Sequence, residues 1–144
     1  MDKPRIFLGS SGKQAELLQS LTLGLEGVAR VEPWTTTFNP GVSTLERLVE
    51  LTREVDFAAF VFAQDDWTSV SAPAPDAAQA SPRDNVVFEA GYFVGLKGKN
   101  NVLIIREAGA KLPADLGGDI YAALPGQGDI RNIERTLKAF LDTI

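Results

Sequence analysis

The chain contains no cysteine and no histidine. That excludes Ser–His and Cys–His nucleophile pairs and the common zinc and haem sites. It also leaves no disulfide framework, which fits a reducing compartment. No stretch approaches the roughly 18 apolar residues needed to span a bilayer. The opening Met1-Asp2-Lys3-Pro4 leads directly into an apolar strand and is unlike a signal peptide. A cytoplasmic protein with no membrane partner is expected. An excess of basic residues is missing too: the net charge is −5, with no basic stripe to neutralise phosphates, so nucleic acid is not an expected partner. A small anionic ligand held by backbone dipoles remains compatible with that charge. Any chemistry must come from carboxylates, hydroxyls, amides, Arg and Lys.

What is present suits one folded domain spanning residues 1–144, with 44% hydrophobic and 23% charged residues. Arg5-Ile6-Phe7-Leu8-Gly9 reads as a first strand, closed by a tight Gly9-Ser10-Ser11-Gly12 loop. Leu17, Leu18, Leu21 and Leu25 then recur at helical spacing. Val28 to Trp34 reads as the second strand, and Ser43 to Glu46 as a capping box opening a second helix. Asp56 to Ala63 is a continuous apolar run, the pattern of a central strand covered on both faces. Asn101 to Arg106 forms a fourth strand, a weak fifth lies near Ile120, and Ile130, Ile133, Leu137, Phe140 and Leu141 mark a closing amphipathic helix. Alternating strands and helices predict an α/β three-layer sandwich: a five-stranded parallel sheet in flavodoxin-like order 2-1-3-4-5. The small-residue and Pro-rich segment Asp65 to Ala80 is expected to form no regular element and to serve either as a surface insertion or as a lid.

Ser81-Pro82-Arg83-Asp84-Asn85-Val86-Val87-Phe88-Glu89-Ala90-Gly91 is the most informative string. Ser81, Pro82 and Asp84 read as cap, rigid first position and first-turn carboxylate of a helix. That helix, through Leu96, is apolar on nearly every side, which predicts burial. Glu89 lies in it, and burying a carboxylate is costly unless it is paired or used. Either it pairs with Arg83 or caps a neighbouring backbone, or it is a catalytic carboxylate at a cleft edge. Gly91 and Gly95 are expected to let the helix pack closely on the sheet.

Ligands of open parallel sheets bind beyond the carboxyl ends of the strands, where strand order reverses. Three features converge there. Gly9, Ser10, Ser11 and Gly12 form either a phosphate-binding turn or a plain one. Trp34 and Phe38, in a loop running to Pro40, either stack on a ring or belong to the core. Arg83, Asp84 and Asn85 either contact substrate or brace the helix mouth around Glu89.

The strings Ile6-Phe7-Leu8-Gly9-Ser10-Ser11, Trp34 with Phe38-Asn39-Pro40-Gly41, Asp56 to Phe62, Ser81 to Glu89 and Leu112-Pro113-Ala114-Asp115-Leu116-Gly117 together resemble the bacterial TIR-like family of predicted nucleotide-binding proteins. The similarity runs from about Arg5 to Tyr121, and Pro82 to Glu89 is its most specific part. Members serve as effector domains in anti-phage systems, including fusions to bacterial STING or other cyclic-nucleotide sensors. The resemblance implies a TIR fold and cleavage of NAD to nicotinamide and an ADP-ribose product, with NAD as substrate and no resident cofactor or metal. It implies Glu89 as the catalytic residue, with Phe7, Gly9, Ser10, Ser11, Trp34, Phe38, Arg83, Asp84 and Asn85 as substrate-binding candidates. It further implies TIR–TIR self-association and a sensor domain or partner, so this chain is expected to be an effector unit of a larger protein or system. A non-catalytic nucleotide-binding or assembly module is the alternative, and a ribosyltransferase-like enzyme a third reading.

Overall fold

A computed structural model describes residues 3–36, 44–69, 78–112, 121–124 and 130–142. The described elements are β1 (Arg5–Ser11), α1 (Ala15–Leu25), β2 (Arg30–Thr36), α2 (Thr44–Glu54), β3 (Phe57–Phe62), β4 (Asp66–Ser69), β5 (Ala78–Ser81), α3 (Asp84–Lys97), β6 (Val102–Glu107), β7 (Tyr121–Leu124) and α4 (Ile130–Asp142). Five strands form one parallel sheet in the order β2-β1-β3-β6-β7. Counted along that sheet alone, this is the expected 2-1-3-4-5 arrangement.

Alternation along the central strands builds two cores. Ile6 and Leu8 of β1, Ala59 and Val61 of β3, and Leu103 and Ile105 of β6 face Leu18, Leu21 and Leu25 of α1 and Leu137 and Phe140 of α4. The intervening Phe7, Ala58, Phe60, Phe62 and Ile104 face Leu48 and Leu51 of α2 and Val86, Ala90 and Phe93 of α3. Burial on both faces is why these strands read as unbroken apolar runs.

Several expected boundaries shift, each for a tertiary reason. β1 continues through Ser10 and Ser11, because both pair with Thr35 and Thr36 of β2. The predicted tight loop is therefore mostly strand, and a single 3₁₀ turn, Gly12–Gln14, leads to α1. By the same pairing β2 begins at Arg30 rather than Val28 and runs past Trp34. The segment from Asp65 to Ala80 forms regular structure at both of its described ends. β4 and β5 pair antiparallel, Asp66 opposite Ser81 and Ser69 opposite Ala78. Ser81 is thereby committed to the hairpin, so α3 starts later, at Asp84, with Arg83 as its N-cap residue. α3 ends at Gly98, whose φ of 83° suits a residue without Cβ.

α3 is also not buried all round. Val86, Glu89, Ala90 and Phe93 face inward, whereas Phe88 and Leu96 are 56% and 58% exposed. Gly91 and Gly95 lie on the exposed side, where an added Cβ would meet nothing within 4 Å. They are therefore not required for packing on the sheet. The Ser43 cap, Phe38 and Ile120 lie outside the described residues.

Candidate active site at the carboxyl edge of the sheet

β1 is flanked by β2 on one side and β3 on the other. The chain leaves β1 towards α1 on one face and, after β3 and the hairpin, enters α3 on the other. The carboxyl ends of β1 and β3 thus border the crevice where strand order reverses.

Asp65, fully buried just beyond β3, organises this edge. Its carboxylate accepts hydrogen bonds from the Gln14 side-chain amide (3.3 Å) and from the backbone N–H of Arg83 (3.2 Å). Its own N–H donates to the Ser81 carbonyl (3.0 Å), and its carbonyl accepts from Lys13 Nζ. Asp65 therefore supplies, from another element, the acceptor at the start of α3 that the sequence assigned to Ser81. Beside it, Asp66 meets Arg83 with two parallel bonds, 3.3 Å to Nε and 3.1 Å to Nη2, and lies 4.0 Å from Lys13 Nζ. Hydrogen bonding to Arg83 holds the Asp66 carboxyl below the usual range, and Asp66 in turn raises Arg83. The sequence reading missed both aspartates. Their signal was two adjacent carboxylates closing an apolar strand run.

Arg83 turns its guanidinium to Asp66. Glu89 is 5% exposed and shares the inward face of α3 with Val86, Ala90 and Phe93. On that face of the sheet, Phe7 is a core residue with no exposed surface. Its ring lies 4.5 Å from Phe93, 5.5 Å from Phe60 and 5.9 Å from Trp34, centroid to centroid. It supports Trp34 from behind and has no surface to offer a ligand. Gly9 is fitted to the same cluster: a Cβ there would come within 2.8 Å of Phe60 and 2.9 Å of Phe7.

Trp34 stands beside Gly9 in strand register, half-buried against this aromatic group. Its indole Nε1 is shut off from solvent and finds no hydrogen-bond partner among the described residues. The Ser11 hydroxyl, also buried, is in the same condition. Strand alternation puts Ser11 on the side of Phe7 and Gly9, the side α3 covers, and Ser10 on the other. Ser10 Oγ donates to the Ser11 carbonyl at 2.9 Å. Buried donors of this kind are uncommon and call for an explanation such as a ligand or ordered water. Asp84 and Asn85 are exposed at the first turn of α3, where the Asn85 N–H donates to Asp84 Oδ1 (2.8 Å). Asp84 lines a cleft of about 330 Å³ with Ser81, Pro82, Val87 and Lys111. Among the described residues no group of three or more Asp or Glu is placed to hold a metal ion.

Trp34, Ser11, Phe7 and Gly9 thus lie on the side of the sheet that α3 covers with its Glu89-bearing face, and Arg83 stands at the start of that helix. Ser10 faces the opposite side, and Asp84 and Asn85 stand at the outer lip. The receiver domain of DrrB, in its BeF3-activated form, superimposes with a TM-score of 0.53 over 98% of this chain and 99% of that one, at 13% identity. That likeness shows the flavodoxin-like fold alone. In sequence, the chain is 36% identical over 116 residues to CD-NTase-associated protein 12 of Sphingobacterium faecium, covering 81% of this chain and 35% of that protein. The protein of the same name from Flavobacterium daejeonense is 37% identical, with 81% and 36% covered. The Pycsar effector protein BcPycTIR of Burkholderia cepacia is 34% identical, with 81% and 39% covered. The chain spans little more than a third of the length of these relatives. Residues 5–125 match the family model of the CAP12/Pycsar effector protein TIR domain, and the chain belongs to that family.

Proposed function

We propose that this TIR domain is an NAD glycohydrolase effector unit of an anti-phage system, cleaving NAD to nicotinamide and ADP-ribose. The observation that carries the reading is Glu89, a carboxylate held almost out of water on the α3 face that covers the sheet's carboxyl edge. The chemistry suits a lone carboxylate. The bond from the ribose anomeric carbon to the pyridinium nitrogen breaks with its electron pair going to nitrogen, so nicotinamide leaves neutral and needs no acid. Positive charge grows on the ribose, and a nearby carboxylate stabilises it, more strongly where water is scarce. Water then adds to the anomeric carbon and releases a proton. Trp34, half-buried, presents an aromatic surface backed by Phe7. Arg83, fixed by Asp66, holds the mouth of α3 in place.

The names of the CD-NTase-associated relatives support a sensor, in the same protein or a partner, that responds to a nucleotide signal. No described helix is long and apolar enough to cross a membrane, which is compatible with action on the cytoplasmic NAD pool. The test is nicotinamide release from NAD by concentrated protein, followed by chromatography, for the wild type and Glu89→Gln. Release by the wild type that collapses in a folded Glu89→Gln variant is the expected result. Absence of release from the associated wild type would leave the nucleotide-binding or assembly reading in its place.

A further inference from the structure

We propose that the outer face of α3 is a two-fold contact between copies of this chain, with the two α3 helices antiparallel. Along that face Asp84, Phe88, Gly91, Tyr92, Gly95 and Leu96 follow one another at helical spacing. Phe88 and Leu96 are more than half exposed, and Phe88 stacks on Tyr92 at 6.3 Å and 27°. Two exposed aliphatic or aromatic side chains beside a partly buried tyrosine form an apolar strip on a helix otherwise committed to the core.

The glycines sharpen the inference. Each costs an α-helix stability relative to alanine, and neither has compensating contacts among the described residues, where a Cβ at either position would meet nothing within 4 Å. What they provide is a pair of notches beside two aromatic knobs. An antiparallel pairing centred between Gly91 and Tyr92 seats Phe88 of each copy over Gly95 of the other. The same residue pair is used twice, as a two-fold interface requires. The charges agree with that direction. The acidic first turn, with Asp84 exposed, meets the basic end at Lys97 and Lys99 of the other copy, and the helix dipoles oppose. A parallel pairing would set like charges together at both ends. A single helix pair falls below the roughly 1,200 Å² of stable interfaces, so the contact is weak and concentration-dependent.

The occupant is a second copy, and the contact stands without reference to NAD. Sedimentation or light scattering across a wide concentration range reads it directly. The wild type should pass from monomer to dimer, with Phe88→Asp weakening association by about tenfold or more, the scale of losing a central aromatic anchor. Gly95→Leu should act with opposite signs on two readouts: a better helix former raises the melting temperature, while its side chain fills the notch and weakens the dimer. Asp84→Lys and Lys99→Asp should each weaken the dimer, and together restore it. Because the chain has no cysteine, Gly91→Cys near the axis should form an intermolecular disulfide under oxidation, whereas Leu23→Cys on exposed α1 should not. A chain that stays monomeric throughout, a dimer indifferent to Phe88→Asp and Gly95→Leu, or a charge-swapped double variant no better than either single one would overturn the proposal.

Discussion

On the proposed reading, function turns on Glu89 and Trp34, and each admits a substitution that separates chemistry from folding. Glu89→Gln keeps shape and removes charge. It should lower the rate of nicotinamide release by roughly 10²–10³, the scale of losing one electrostatic stabiliser, with the melting temperature little changed. Full activity in the folded variant would remove Glu89 from the mechanism. At Trp34 the packing on Phe7 means that alanine would damage the core as well as the site. Trp34→Phe is cleaner, because it retains a ring and deletes a buried donor that has no partner among the described residues. If Nε1 binds substrate, KM for NAD should rise while stability holds or improves. An unchanged KM would assign the indole to packing alone. Gly9→Ala tests the aromatic cluster itself. Its methyl group would intrude on Phe60 and Phe7, and overpacking of this kind costs about 1–3 kcal/mol, readable in a denaturant titration.

At the scale of elements, the start of α3 is held by the β3–β4 junction. Asp65 accepts the Arg83 N–H, and Asp66 grips the Arg83 side chain. Asp65→Ala should cost on the order of 1–2 kcal/mol for the lost cap acceptor alone, and it should also slow nicotinamide release by loosening the helix that carries Glu89. A stability loss with an unaltered rate would separate the cap from the site. The Asp66–Arg83 pair predicts a pH dependence of definite sign. Arg83 lowers the Asp66 carboxyl in the folded state, so the pair stabilises the fold above the unfolded value near 4 and loses its effect as pH falls through the lower folded value. Melting temperatures of the wild type and Asp66→Asn should therefore differ at pH 7 and converge in acid. A difference that persists at low pH would indicate another cause.

In the whole molecule, the proposed site lies on the inward side of α3 and the proposed assembly face on its outward side. Glu89 and Phe88 are adjacent in sequence, a quarter turn apart around the helix. Activity should depend on association accordingly. The rate per molecule should be low for the dilute monomer, rise with protein concentration in step with the light-scattering mass, and rise again on fusion to an oligomer. Phe88→Asp should flatten that rise. A high rate per molecule that is constant across the monomeric range would sever activity from assembly.

The sequence by itself determined the architecture and the principal candidate. Unbroken apolar runs at Ile6–Leu8, Phe57–Phe62 and Val102–Ile105 read as strands covered twice, and the helical patterns between them pointed to parallel crossovers and a flavodoxin-like sheet order. Pro82 to Glu89 marked a helix start and a carboxylate too well surrounded to be ordinary surface. What depended on partners distant in the chain was decided only by the tertiary structure. Pairing with Thr35 and Thr36 drew Ser10 and Ser11 out of a loop into β1, and pairing with Asp66 drew Ser81 out of a helix cap into β5. Asp65 could not be recognised as the cap of α3 from 18 residues away. The apolar composition of α3 concealed that Phe88 and Leu96 face outward, because composition counts side chains, whereas burial depends on which of them another element reaches.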